Sequence, residues 1–175
     1  MRFLTAFHTD TGPRKTVNQD SLLVMQAETD QGNILLAAVC DGMGGLARGE
    51  TASAMLVQAL SEWFENDLPG LLTTGFRREK LWEQWNRLIE ETGNRIAEYA
   101  AAFHESAGTT VSAILMIDQA YYIMQVGDSR IYLISDQTWQ LTKDQTVVQK
   151  EIDEGRMTVE QAMTDPQRNV LLQCV

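Results

Sequence analysis

Cysteine is scarce in this 175-residue chain, which has only Cys40 and Cys174, far apart and without a Cys-x-x-Cys. That excludes a disulfide framework and a zinc–thiolate site, and it fits a reducing cytoplasm. The two histidines, His8 and His104, are too few for a histidine-rich metal site. Any metal held here must therefore be held by oxygen. No run approaches the roughly 18 apolar residues a membrane span requires, and the apolar stretch in Met1–Asp10 is too short for a signal peptide. Positive charge is also in short supply, with 14 Lys+Arg against 24 Asp+Glu, a formal net charge of −10. No basic run exceeds Arg77-Arg78, so a general nucleic-acid binder is excluded. No repeat, low-complexity tract or linker interrupts the chain. With 44% hydrophobic residues it has the composition of one globular domain over residues 1–175.

The apolar pattern runs from strands to long helices and back to strands. Phe3–His8 and Ser21–Ala27 read as short strands around the turn-rich Asp10-Thr11-Gly12-Pro13. Ile34–Cys40 is a continuous apolar run, which reads as a strand buried on both faces. Apolar residues at three- and four-residue spacing predict a helix over about 49–66, ended by Leu68-Pro69-Gly70, and another over about 78–103. Trp63 and Trp85 fall on those apolar stripes, which assigns them to core packing and not to a ligand cage. Thr109–Ile117, Ala120–Val126, Arg130–Ser135 and Thr138–Leu141 read as strands, with hairpin turns at Asp118-Gln119 and Asp136-Gln137. Connections that short exclude βαβ crossovers. Residues 144–173 read as helical and polar, with a capping box at Thr158–Gln161. The class is α+β with largely antiparallel sheets, and the long helices must cover a sheet face.

The most informative stretch is Val39-Cys40-Asp41-Gly42-Met43-Gly44-Gly45. An aspartate leaving a buried strand needs a partner for its charge, and no Lys or Arg lies within six residues of it. Glycines beside it let the backbone bend and present carbonyls. A hard divalent cation meets both conditions, and an Asp-Gly turn capping the next helix meets them equally. The glycines also imitate a dinucleotide-binding turn. Against that reading stand the negative charge of Asp41, a second long helix where a parallel strand is needed, and the hairpin-linked sheet downstream. Two further clusters, Asn18-Gln19-Asp20 with Arg14 and Lys15 upstream, and Gly127-Asp128-Ser129-Arg130, put carboxylates at strand ends with cations beside them.

These stretches, together with Gly108-Thr109-Thr110, Leu141-Thr142-Lys143-Asp144 and Pro166-Gln167-Arg168-Asn169, occur in an order and spacing that resembles the bacterial branch of the PP2C-type (PPM) metal-dependent serine/threonine phosphatases. The resemblance covers nearly the whole chain. It implies a four-layer α-β-β-α sandwich with two Mn²⁺ or Mg²⁺ ions at one edge of the sheets and a third, more weakly held ion. Asp41 would bridge the two ions, Gly42 would ligate one through its carbonyl, Asp20 would sit around the metals and hold water, and Asp128 would serve the third ion. Asp20 and Asp41 are thus the implied catalytic pair. Arg14 or Lys15 would bind the substrate phosphate, and a flap-like segment over about 145–170 would flank the site. The implied reaction is hydrolysis of phosphoserine or phosphothreonine in proteins by a metal-activated water, opposing a Ser/Thr kinase acting on the same substrates.

The sequence departs from the family at three points. Gln19 stands where Glu is common. The phosphate-binding cation is Lys15 by direct count and Arg14 if one residue is inserted. The Ser-Asp-Gly motif and the later Asp that complete the family's metal site do not occur, so the chain reads as a C-terminally incomplete domain, inactive or badly impaired by itself. A non-catalytic PP2C-like regulatory or binding module is the competing expectation.

Overall fold

In the computed structural model, which describes residues 2–13, 15–30, 32–43 and 48–175, the chain is α+β with antiparallel sheets and flanking helices. Strands β1 (Asp20–Thr29), β2 (Gly32–Asp41), β3 (Val111–Ile117) and β4 (Ala120–Val126) form one sheet in sequence order. A separate two-stranded sheet holds β5 (Tyr132–Ile134) and β6 (Thr138–Gln140). Helix α1 (Gly49–Asn66) links the two hairpins of the larger sheet together with α2 (Leu68–Thr73) and α3 (Arg78–Ala101), and α4 (Val147–Asp153) and α5 (Val159–Thr164) follow β6.

Side chains alternate across a strand, so one face of β2 carries Ile34, Leu36, Ala38 and Cys40. All four are buried in one cluster with Val111, Ala113 and Leu115 of β3, Leu56 and Leu60 of α1, and Leu81, Trp85 and Ile96 of α3. The helical stripes therefore seal one sheet face, as their spacing predicts. Trp63 and Trp85 pack edge to face at 5.7 Å inside this core.

The structure corrects several expectations. Phe3–His8 is not a strand: it lies beside β1 without joining a ladder, and Leu4 and Phe7 are 89% and 72% exposed. An apolar run with no strand to pair with has no reason to become one. β2 is not buried on both faces along its whole length, because Val39 is exposed near its end. Leu68-Pro69-Gly70 does not simply stop a helix. Proline fits a first helical turn, where its missing N–H costs nothing, and it starts α2. Residues 144–173 hold two short helices and irregular chain, not one helical segment, although the Thr158–Gln161 capping box forms as expected.

Candidate metal centre

The β1–β2 hairpin pairs Thr29 with Gly32 at its turn and, nine residues along, Asp20 with Asp41 at its open end. Two carboxylates far apart in sequence thus become a cross-strand pair on the face turned away from α1 and α3. Like charges directly opposite each other on a sheet repel. The β2–β3 register continues past Val39↔Ser112: Thr110 N–H donates to Asp41 O at 2.9 Å, and Met43 N–H donates to Gly108 O at 3.1 Å. β3 and β4 pair Val111 with Val126, which puts Gly127 beside Thr110. The end of the sheet is therefore a row running Asp20, Asp41, Thr110, Gly127, with Asp128 next to its last member.

The Asp41 carboxyl carries the mark of this crowding. Partial loss of water around it and the charge of Asp20 push it up to about 6, with a hydrogen bond from the protonated Asp41 carboxyl to the Asp20 side chain and the charge of Asp128 adding to the effect. Lys15 works in the opposite direction. Asp41 opens on a cleft of about 1050 Å³ that Lys15, Met43, Thr110, Asp128 and Asn169 also line. It opens as well on a smaller cleft of about 300 Å³ shared with Asp20 and Ser129. The Lys15 ammonium donates to Gln19 Oε1 at 3.3 Å, so Gln19 holds the one cation that lines the larger cleft among the described residues. Arg14, the other candidate for phosphate, lies outside the described residues, as do Gly44 and Gly45.

Gly42 is fixed by its surroundings. Its N–H donates to Gln19 O at 3.0 Å, and a Cβ in its place would strike the Gly49 carbonyl and fall 2.6 Å from Gln19 O. The bridge from Gly42 to Thr109 is closed by bonds from the residues on either side, which leaves the Gly42 carbonyl outside the ladder. From α1, the buried Ser53 hydroxyl donates to the same Gln19 O at 2.7 Å, tying the helix to the loop that delivers Asp20.

The donors match a hard cation in kind: carboxylates at Asp20 and Asp41, a Gly42 carbonyl with no hydrogen-bond partner among the described residues, and a third carboxylate close enough to Asp41 to raise it. In number they fall short. Among the described residues no group of three or more His, Cys, Asp or Glu side chains is close enough to hold an ion, so Asp128 stands apart from the Asp20–Asp41 pair.

Residues 11–171 match the family model described as Protein phosphatase 2C. The chain belongs to the protein phosphatase 2C family. It is 34% identical over 174 residues to the serine/threonine phosphatase stp of Listeria welshimeri, covering 97% of this chain and 65% of that protein. It is 33% identical to the serine/threonine protein phosphatase PstP of Mycobacterium tuberculosis, covering 97% of this chain and 30% of that one. Among solved structures, the serine/threonine phosphatase Stp1 of Staphylococcus aureus superposes with a TM-score of 0.82 at 30% identity, over 96% of this chain and 64% of that one. The PstP catalytic domain in complex with two manganese ions superposes with a TM-score of 0.72 at 30% identity, over 95% and 64%. The chain thus spans about two thirds of the Listeria relative and of these solved phosphatase domains. As a family member it carries the fold of a PP2C phosphatase, and no described helix is long and apolar enough to cross a membrane.

The structure places Asp20, Asp41, Gly42, Lys15 and Asp128 at one end of the fold. The sequence motifs include Thr110 and Ser129 without giving either a role, and they pass over Ser53. Hydroxyls give no charge signal in a sequence, and only the strand register reveals their neighbours.

Proposed function

We propose that this chain is the metal-binding part of a phosphoprotein phosphatase that removes phosphate from serine and threonine residues. The cross-strand pair Asp20↔Asp41, with the Asp41 carboxyl raised by its neighbour, carries the reading. Two carboxylates directly opposite each other repel unless a cation lies between them, and a fold that keeps both is organised around that cation. Asp20, Asp41 and the Gly42 carbonyl would hold Mn²⁺ or Mg²⁺, and Asp128 would hold the more loosely bound ion. When bound, such ions neutralise phosphate charge and make water nucleophilic near neutral pH.

The chain's own residues do the rest. Lys15, steadied by Gln19, meets the substrate phosphate in the cleft it shares with Asp41 and Asp128. Its charge offsets the repulsion that a chain of net charge −10 exerts on a phosphorylated protein. Asp20 accepts and orients a proton donor between the strands. The segment over 145–170 flanks the cleft, with Asn169 on its wall, and contacts the protein that carries the phosphate. The described donors are too few to hold two ions, so the isolated chain is expected to be impaired relative to a full-length relative.

The test is hydrolysis of a phosphothreonine peptide with Mn²⁺, with EDTA and Asp41→Asn as controls. Release of phosphate that both controls abolish supports the reading. Phosphopeptide binding without any metal-dependent turnover, even in a chain extended to the relatives' length, favours the non-catalytic module instead.

A further inference from the structure

Thr110 is 1% exposed, and its hydroxyl sits between the strand that carries Asp41 and the turn that carries Asp128. It accepts from the Asp41 N–H at 3.0 Å and lies 2.9 Å from the Ser129 hydroxyl. A buried hydroxyl leaves neither its lone pair nor its hydrogen unused without cost. Either hydroxyl could donate in that pair, but Ser129 is the one oxygen among the described residues placed to take the Thr110 hydrogen, so we assign it there. The Ser129 carbonyl is held in turn by the Ser112 hydroxyl at 2.6 Å. Ser129, having accepted from Thr110, keeps its hydrogen for a partner, and it lines the small cleft with Asp20 and Asp41. The Thr110 methyl serves packing instead, filling the space where a side chain on Gly127 would lie, 2.6 Å from the ideal Cβ position.

From this geometry we propose that Thr110 is a positioning residue for the metal site. Through one hydroxyl it sets Asp41 against the Asp128–Ser129 turn and aims the Ser129 O–H toward the carboxylate pair. The proposal rests on the metal-site reading above. Bonds of this kind behind a metal ligand commonly govern affinity by about ten- to a hundredfold.

Two substitutions separate the hydroxyl from the methyl. Thr110→Val keeps the shape and loses the hydroxyl; Thr110→Ser keeps the hydroxyl and loses the methyl. The experiment is calorimetric titration of the full 175-residue chain with Mn²⁺ at about pH 7.5, alongside urea unfolding of each variant without metal. Thr110→Val is expected to weaken Mn²⁺ binding about tenfold or more, whereas Thr110→Ser stays within about twofold of the parent although less stable. Ser129→Ala should weaken binding in the same direction, and adding it to Thr110→Val should cost little more, as for two members of one unit. Should Thr110→Val not fold, Ser129→Ala against the parent decides the matter. A folded Thr110→Val that binds Mn²⁺ like the parent overturns the proposal and leaves the metal site standing. So does Thr110→Ser binding as weakly as Thr110→Val, which would tie affinity to packing. A parent chain that takes up no Mn²⁺ overturns the metal-site reading, and the proposal with it.

Discussion

Asp41→Asn is expected to stabilise the metal-free protein while removing its metal. The Asp41 carboxyl is raised from 3.8 to about 6 by partial burial and by Asp20. At about 1.4 kcal/mol per unit, that shift corresponds to an upper limit of about 3 kcal/mol. The side chain is open to solvent on its cleft side, and screening reduces the figure to about 1 kcal/mol. The sign follows from proton uptake. Between pH 3.8 and 6 the folded state holds a proton that the unfolded chain has released, so folding becomes less favourable as pH rises through this window. Above pH 6 the wild-type protein bears the whole penalty; below 3.8 it bears none. Asparagine carries no charge and can still donate to Asp20. Urea unfolding in EDTA should therefore show Asp41→Asn more stable by about 1 kcal/mol at about pH 7.5, with the gap closing as pH falls toward about 4. In excess Mn²⁺ the order should reverse, since an ion at a hundredfold its dissociation constant adds about 2.7 kcal/mol to the protein that binds it. A variant less stable than the parent in EDTA at that neutral pH, or a gap that ignores pH, would refute the reasoning.

Lys15→Ala removes the cation of the cleft and should raise KM for a phosphopeptide about tenfold with a smaller change in kcat, measured by steady-state kinetics in Mn²⁺. Gly42→Ala drives a methyl into the Gly49 carbonyl and should cost at least about 2 kcal/mol in urea unfolding, because the obstruction is backbone and cannot rotate away. Cys40 is buried and its thiol is pushed up to about 12 by desolvation, whereas Cys174 is exposed. Ellman's reagent should therefore titrate one thiol in the native protein and the second only after unfolding.

Much of this was legible in the sequence. The helices α1 and α3 matched their apolar stripes because three- and four-residue spacing has one structural solution when a sheet lies underneath. The tight turn at Asp118-Gln119 gave the β3–β4 hairpin correctly. What the sequence concealed is set by pairing over distance. Phe3–His8 has the composition of a strand and lacks a strand to pair with. The Asp20–Asp41 pair was within reach, since a hairpin that pairs Thr29 with Gly32 sets every later partner, but the two aspartates were grouped as strand-end acids without the register that sets them face to face. The roles of Thr110 and Ser129 were out of reach. They depend on three strands being in register at once, and a neutral hydroxyl leaves no trace in charge or hydropathy.

Crystals of this chain soaked in Mn²⁺ and measured at the manganese edge would test the central claim most directly. An anomalous peak is expected at the open end of the β1–β2 hairpin, within coordination distance of the Asp41 carboxylate and the Gly42 carbonyl, and lost in Asp41→Asn. Manganese bound only elsewhere on the acidic surface, with the Asp20–Asp41 pair empty, would contradict it.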